Sequence, residues 1–231
     1  MARQHDIRDT AIYSIADAAR FTGLPVATLR AWTVGRPYQA GGAKRWSNCV
    51  LTAPPSAGHE RLSFNNITEA HILCALRRHH RIKMSTVRDA VLYIKREYQT
   101  EHPLLHPRLI TDGAHLFIDE IERLMCASQE GQLALRDIIR TYLARFDLDA
   151  QDLPRQFYPF TRDPSESCPR IIAMSPAVMC GSPVIAGTRI TTSCVYDRFM
   201  SGESAAQIAK DYGRPLNAVE EAIRLENRHA A

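Results

Sequence analysis

Apolar residues recur at spacings of three and four near the start of the chain, and glycine and proline break the pattern where elements must end. In YSIADAARFTGLPVATLRAW, Tyr13 to Trp32, Ile15, Ala18 and Ala19 share one helical face and Phe21 closes it. Ser14 and Asp17 form an S-x-x-D capping box that starts this helix at Ile15. Thr22-Gly23 supplies a break, since glycine takes positive φ without steric cost. Pro25 suits the first position of a second helix, where a missing N–H is tolerated. Val26, Leu29 and Trp32 then turn inward, leaving Thr28 and Arg30 outside. Two short helices crossed at a glycine turn fit a helix-turn-helix whose second helix enters the major groove of DNA. They also fit an ordinary helical hairpin in a core.

Beyond Trp32 the period changes. Gly35, Gly41, Gly42 and Gly58, with Pro37, Pro54 and Pro55, punctuate two strand-like runs, Arg45–Leu51 and Arg61–Phe64. They predict a β-hairpin with a long tip, a wing beside the second helix. Arg36, Lys44, Arg45 and Arg61 lie on it, either as phosphate contacts, which set register without reading sequence, or as solvated surface charge. Helical spacing returns from Asn66 to His79, with Ile67, Ala70, Leu73, Cys74 and Leu76 apolar. It returns again after Ser85, a candidate N-cap, with Val87, Ala90 or Val91, Ile94 and Tyr98. The intervening RRHHRIK, Arg77 to Lys83, is a candidate second phosphate patch.

Pro103 and Pro107 end this unit. A strand is expected at Gly113–Asp119, a mixed signal at Ile118–Cys126, and a helix at Glu130–Phe146. That helix carries a stripe of Leu135, Ile138, Ile139, Tyr142, Leu143 and Phe146, suited to a core or a dimer interface. From Asp147 to Arg170, Pro154, Pro159, Pro164 and Pro169 block regular ladders. The stretch reads as a linker whose Phe157, Tyr158 and Phe160 dock on a neighbour. After Ile171 comes a turn-rich segment with Gly181, Pro183 and Gly187, then three helices. Thr192 caps Ser193–Met200. Ser204 caps Ala205–Tyr212, which Gly213 ends. Asn217 with Glu220 opens a helix running to about His229, with Val219, Ala222 and Ile223 inward. The expected organisation is mainly α: a winged helix-turn-helix over residues 1–100, a strand-helix segment over 101–146, the Pro-rich linker over 147–170, and a small helix-turn-helix domain over 171–231.

Composition narrows the function. The chain has 231 residues and a 45% hydrophobic share, enough for a core. No apolar run reaches membrane-span length and the N-terminus lacks a signal-peptide core, so a cytoplasmic protein without a membrane association is expected. The six cysteines show no C-x-x-C pair. His71, His79 and His80 lack a carboxylate or cysteine at ligand spacing and read as surface. No metal and no cofactor are expected. Nucleophile-elbow, H-E-x-x-H and two-metal patterns are absent, so no enzyme is expected. Charge is uneven: residues 1–100 carry 15 Lys and Arg against 7 Asp and Glu, while residues 101–231 carry 14 against 18. A basic half coinciding with the helix-turn-helix points to a polyanionic partner.

Two resemblances follow. GLPVATLRAW, Gly23 to Trp32, resembles the N-terminal reader of MerR-type regulators over about the first hundred residues. The run GSPVIAGTRI with the helices after it is similar to a small domain of unknown function found in VapB-type antitoxins. Gly181, Pro183, Val184, Gly187, Thr188, Arg189, Ile190, Gly202, Ser204, Tyr212 and Gly213 fill its pattern, and Met174 departs from it in a loop. This resemblance implies a PIN-like ribonuclease toxin as partner and repression of the operon that encodes both. GSPVIAGTRI is no P-loop, because no G-K-[ST] follows. Arg189 either pairs with an acidic group across a dimer or contacts a phosphate of DNA or a partner. The expectation is therefore an antitoxin whose homodimer binds operator DNA. The alternatives are a MerR-like ligand-responsive regulator, with a pocket near the Glu130–Phe146 helix, and a scaffold protein.

Overall fold

The structure, a computed structural model, describes residues 6–56, 60–78, 83–106, 137–165 and 167–228. The expected strand at Gly113, the Ile118–Cys126 segment, the first part of the Glu130–Phe146 helix, His79, His80 and most of RRHHRIK lie outside them. The fold is mainly α. Strand β1 (Tyr13–Ser14) leads into α1 (Ile15–Thr22), then α2 (Val26–Thr33), β2 (Arg36–Ala40), β3 (Ala43–Ser47), β4 (Arg61–Leu62), α3 (Phe64–Arg78) and α4 (Met84–Glu97). Residues 137–143 are helical. After them come β5 (Phe146–Leu148), β6 (Pro154–Phe157), β7 (Ile172–Ala173), β8 (Val184–Ile185), α5 (Thr192–Met200), α6 (Ala205–Tyr212) and α7 (Leu216–Glu226).

Helix α3 is the hub. Phe64, Ile67, Ala70, Ile72, Leu73 and Leu76 are buried, and so are its polar residues Asn66, Thr68, Glu69 and His71. A helix enclosed on every side must satisfy its polar groups internally. The Asn66 side chain accepts from the Ser63 amide at 3.1 Å and donates to the Thr52 carbonyl at 2.9 Å. Glu69 accepts from the His102 imidazole at 2.9 Å. His71 corrects the expectation of a surface histidine: it is 1% exposed. Its ring sits 4.6 Å from Tyr142, 4.7 Å from Phe157 and 5.4 Å from Phe160, centroid to centroid.

The Pro-rich stretch supplies that aromatic wall. Phe146 pairs with Phe157 across the β5–β6 hairpin, and Phe157 bridges to Met174 at the end of β7. Phe157 and Phe160 are buried within this chain, so they are not available to a neighbouring protein; Tyr158 is half-buried. Prolines lack N–H groups but keep carbonyls that need donors, and Arg145 provides them. Its buried guanidinium donates to the carbonyls of Tyr158 at 2.8 Å, Cys168 at 2.7 Å and Pro169 at 3.0 Å, with the Phe160 ring 4.7 Å away. Burial holds the Arg145 pKa below the usual value for a guanidinium.

At the C-terminal end, α6 and α7 repeat the plan of α1 and α2. Ser204 caps α6 and Gly213 ends it at φ 59°, as Ser14 caps α1 and Gly23 ends it at φ 68°. Prolines 25 and 215 each precede the next helix at φ near −60°. Three caps differ from expectation. Thr191 rather than Thr192 caps α5, and Thr192 turns inward to hydrogen-bond Glu226. α7 begins at Leu216 without an Asn217 capping box, and α4 begins at Met84 with Lys83, not Ser85, at its N-cap position. The two ends meet. Tyr13 donates to the Gly181 carbonyl at 2.8 Å and Arg20 pairs with Glu226, while Arg228 ties the end of α7 back to the Phe160 carbonyl.

Candidate DNA-contact face

The first helix-turn-helix forms as its residues dictate. The Ser14 hydroxyl oxygen accepts from the Asp17 amide at 3.0 Å, and Ile15, Ala18, Ala19 and Phe21 are buried. Leu29 and Trp32 anchor α2 in the core, whereas Val26 is only half-buried. Pro25 stands just before the helix rather than in its first turn. Arg30 is exposed and Thr28 half-buried, accepting from Arg77 at 3.3 Å.

The hairpin beside α2 is shorter than the sequence pattern predicts. β2 pairs with β3 from Arg36↔Ser47 to Ala40↔Ala43, and Gly41-Gly42 alone makes the tip. Both glycines have positive φ, 60° and 76°, as a two-residue turn matched to strand twist requires. Arg61-Leu62 is not its second strand. It pairs instead with Tyr13-Ser14. The hairpin is fixed to α2 at its base, where the amides of Val50 and Leu51 donate to the Trp32 carbonyl at 2.7 and 3.0 Å. A Cβ on Gly35 would stand 2.4 Å from the Ser47 carbonyl oxygen, so the crossing into β2 requires glycine.

Helix α2 forms a ridge between two grooves. One, of about 560 Å³, is lined by Thr28, Trp32, Arg36, Arg77 and Arg88, with Tyr38 and Trp46 from the hairpin. The other, of about 620 Å³, is lined by Val26, Arg30, Glu60 and Arg61. The structure thus joins Thr28 to Arg36 on one flank and Arg30 to Arg61 on the other. Arg61 is also tied down, donating to the Ile12 carbonyl at 3.0 Å. Lys44 and Arg45 lie exposed on β3 and line neither groove. Arg88, Tyr38 and Trp46 were not singled out by sequence. Trp46 is 58% exposed, an unusual position for so large an apolar ring. Guanidinium groups flanking a helix that presents Thr28 and Arg30 between small alanines suit a duplex: phosphates on the flanks, base edges under the ridge.

Among the described residues, no group of three or more His, Cys, Asp or Glu side chains is placed to hold a metal ion. No helix among them is long and apolar enough to cross a membrane. The five described cysteines are free thiols.

Comparison with known proteins finds two domain families on this chain. Residues 11–91 match a domain family described as "Putative DNA-binding HTH domain", and residues 172–224 match one described as "Protein of unknown function (DUF433)". A protein named "Putative antitoxin VapB45" from Mycobacterium tuberculosis (strain ATCC 25618 / H37Rv) is 25% identical over 93% of this chain and 93% of its own length. "Uncharacterized protein Rv2308" from the same strain is 22% identical over 96% and 92%. The crystal structure of Rv2018 from Mycobacterium tuberculosis superposes with a TM-score of 0.67, at 20% identity, covering 94% of this chain and 98% of that one, and so shares the fold. The chain carries an N-terminal helix-turn-helix domain and resembles VapB-type antitoxins along its length.

Proposed function

We propose that this relative of VapB-type antitoxins is the antitoxin of a type II toxin-antitoxin pair. It holds a PIN-like ribonuclease inactive and, as a cytoplasmic homodimer, binds operator DNA to repress its own operon. The observation that carries the reading is the arginine-flanked ridge of α2 on a helix-turn-helix, in a chain similar over nearly its full length to a protein named as an antitoxin. The MerR-like head reads the operator. Thr28 and Arg30 on α2 reach base edges or the phosphates beside them. Arg36, Lys44 and Arg45 on the wing, with Arg77 and Arg88, contact phosphates. A dimer presents two such heads to a palindromic site. No catalytic step is assigned to this chain.

The test joins two assays. In a gel shift with the promoter duplex, wild type forms a complex and Arg30→Ala weakens it by roughly 1–3 kcal/mol with the fold retained. In co-expression with the adjacent gene's product, ribonuclease activity falls when this chain is present. Unimpaired nuclease activity in the purified pair overturns the antitoxin reading. The alternative, a ligand-responsive regulator without a toxin, is favoured by a cavity of about 340 Å³ lined by Arg140, Thr141, Arg145, Ser165, Cys168 and Arg170. It predicts promoter binding that changes with a small anion and no effect on any nuclease.

A further inference from the structure

We propose that the turn carrying Arg189 is a docking site for a carboxylate side chain of a protein partner, set beside an aliphatic residue of that partner. The proposal rests on the antitoxin reading only in requiring that a protein partner exists. The turn is heavily determined. Ile185 donates its amide to the Ile190 carbonyl at 2.9 Å, and the Thr188 amide and hydroxyl both donate to the Ile185 carbonyl, at 3.0 and 2.7 Å. Thr188 Oγ1 in turn accepts from the Ile190 amide at 3.0 Å. Gly187 holds φ +73° with nothing within 4 Å of where a Cβ would stand, so the turn needs its conformation rather than its small size. On one side β8 is buried, and on the other Thr191 caps α5.

The side chain lifted by this fixed backbone is exposed, and no ion pair to Arg189 occurs among the described residues. Several arginines of the C-terminal half are paired, whereas Arg155 and Arg214, like Arg189, make no ion pair among the described residues. Arg162 pairs with Glu221, Arg170 with Asp147, Arg198 with Glu203 and Asp211, and Arg224 with Glu221. The backbone under Arg189 is already fixed, so binding an external group through a guanidinium that has no ion pair among the described residues requires ordering of the side chain alone.

The surface beside it selects the class of that group. Arg189 borders a cavity of about 450 Å³ whose other lining residues are Gln156, Ala173, Ser175, Val178, Val184, Gly187 and Thr188. Ala173 and Val184 are buried and give it an apolar floor, and Arg189 is the one charged residue in the lining among the described residues. Surfaces for nucleic acid line up several cations along a phosphate backbone. One guanidinium above an aliphatic floor instead matches a glutamate or aspartate next to valine or leucine, with the planar fork donating to both carboxylate oxygens.

The test uses the full chain, fluorescently labelled, on short immobilised peptides with a central glutamate between aliphatic residues, against matched peptides carrying glutamine. Single-stranded RNA is the competitor. Wild type is expected to be retained about tenfold more strongly on the glutamate set. Arg189→Ala should abolish the difference and Arg189→Lys keep part of it, with unchanged circular dichroism. No discrimination by wild type, or equal discrimination by Arg189→Ala, overturns the proposal. Displacement by RNA overturns it in favour of a nucleic-acid site. A promoter gel shift run in parallel keeps the readings apart: Arg189→Ala should shift the duplex like wild type. Loss of the shift in wild type itself would sink the operator reading and leave this one standing.

Discussion

Gly181 and Gly187 lie six residues apart in one turn-rich segment, yet they are glycine for different reasons. A Cβ on Gly181 would stand 2.2 Å from the Tyr13 hydroxyl, and its φ is +82°. Gly187 has only the φ requirement. Gly181→Ala should therefore break the Tyr13 contact and cost about 2–4 kcal/mol of unfolding free energy, whereas Gly187→Ala should cost about 1–2 kcal/mol from strain alone. Chemical denaturation of both variants compares them; equal losses would show that the close approach does not matter. Arg145 is a second such residue. Arg145→Met removes donors from carbonyls of the Pro-rich stretch and should destabilise by roughly 2–4 kcal/mol, read in the same experiment. Neither role could be read from sequence. A glycine's neighbour across the fold and a carbonyl's need for a donor are properties of the packed molecule.

Elements with local causes were legible. Ser14 and Ser204, with Gly23 and Gly213, mark helix ends through chemistry contained within one turn, and all four act as the pattern implies. The hairpin was not, because several glycines could make its turn, and because Arg61-Leu62 pairs with Tyr13-Ser14, far back in the chain. The short segment after α4 gives a pH-dependent element. Burial pushes the His102 imidazole pKa down, but the Glu69 carboxylate at 2.9 Å and Asp9 at 2.8 Å more than reverse this, so it ends raised. A raised folded value means the stabilisation is complete below the unfolded value, near pH 6.5, and fades as pH rises through the folded one. The stability gap between wild type and His102→Gln should thus be widest near about pH 5.5 and narrow toward about pH 8. A gap that widens with pH would contradict the bridge.

On the scale of the whole molecule, basic grooves on both flanks of α2 predict how binding responds to salt. Promoter affinity should fall steeply with ionic strength, and Arg36→Ala should reduce the slope of log K against log salt by about one while leaving sequence preference intact. A slope unchanged in the variant would remove Arg36 from the interface. The charge asymmetry between the two halves was visible in composition, but the ridge between two grooves was not, because it depends on where Arg77 and Arg88 arrive from α3 and α4.

The enclosure of α3 bears on how the protein can be dissected. Residues 142–160 complete the wall around His71, although α2 lies more than a hundred positions earlier. Severing the chain near position 100 would strip that wall and leave an oily flank open to water. A truncated N-terminal helix-turn-helix domain is therefore expected to clump or remain loosely folded, and its failure to bind DNA would indicate a broken scaffold rather than a missing affinity.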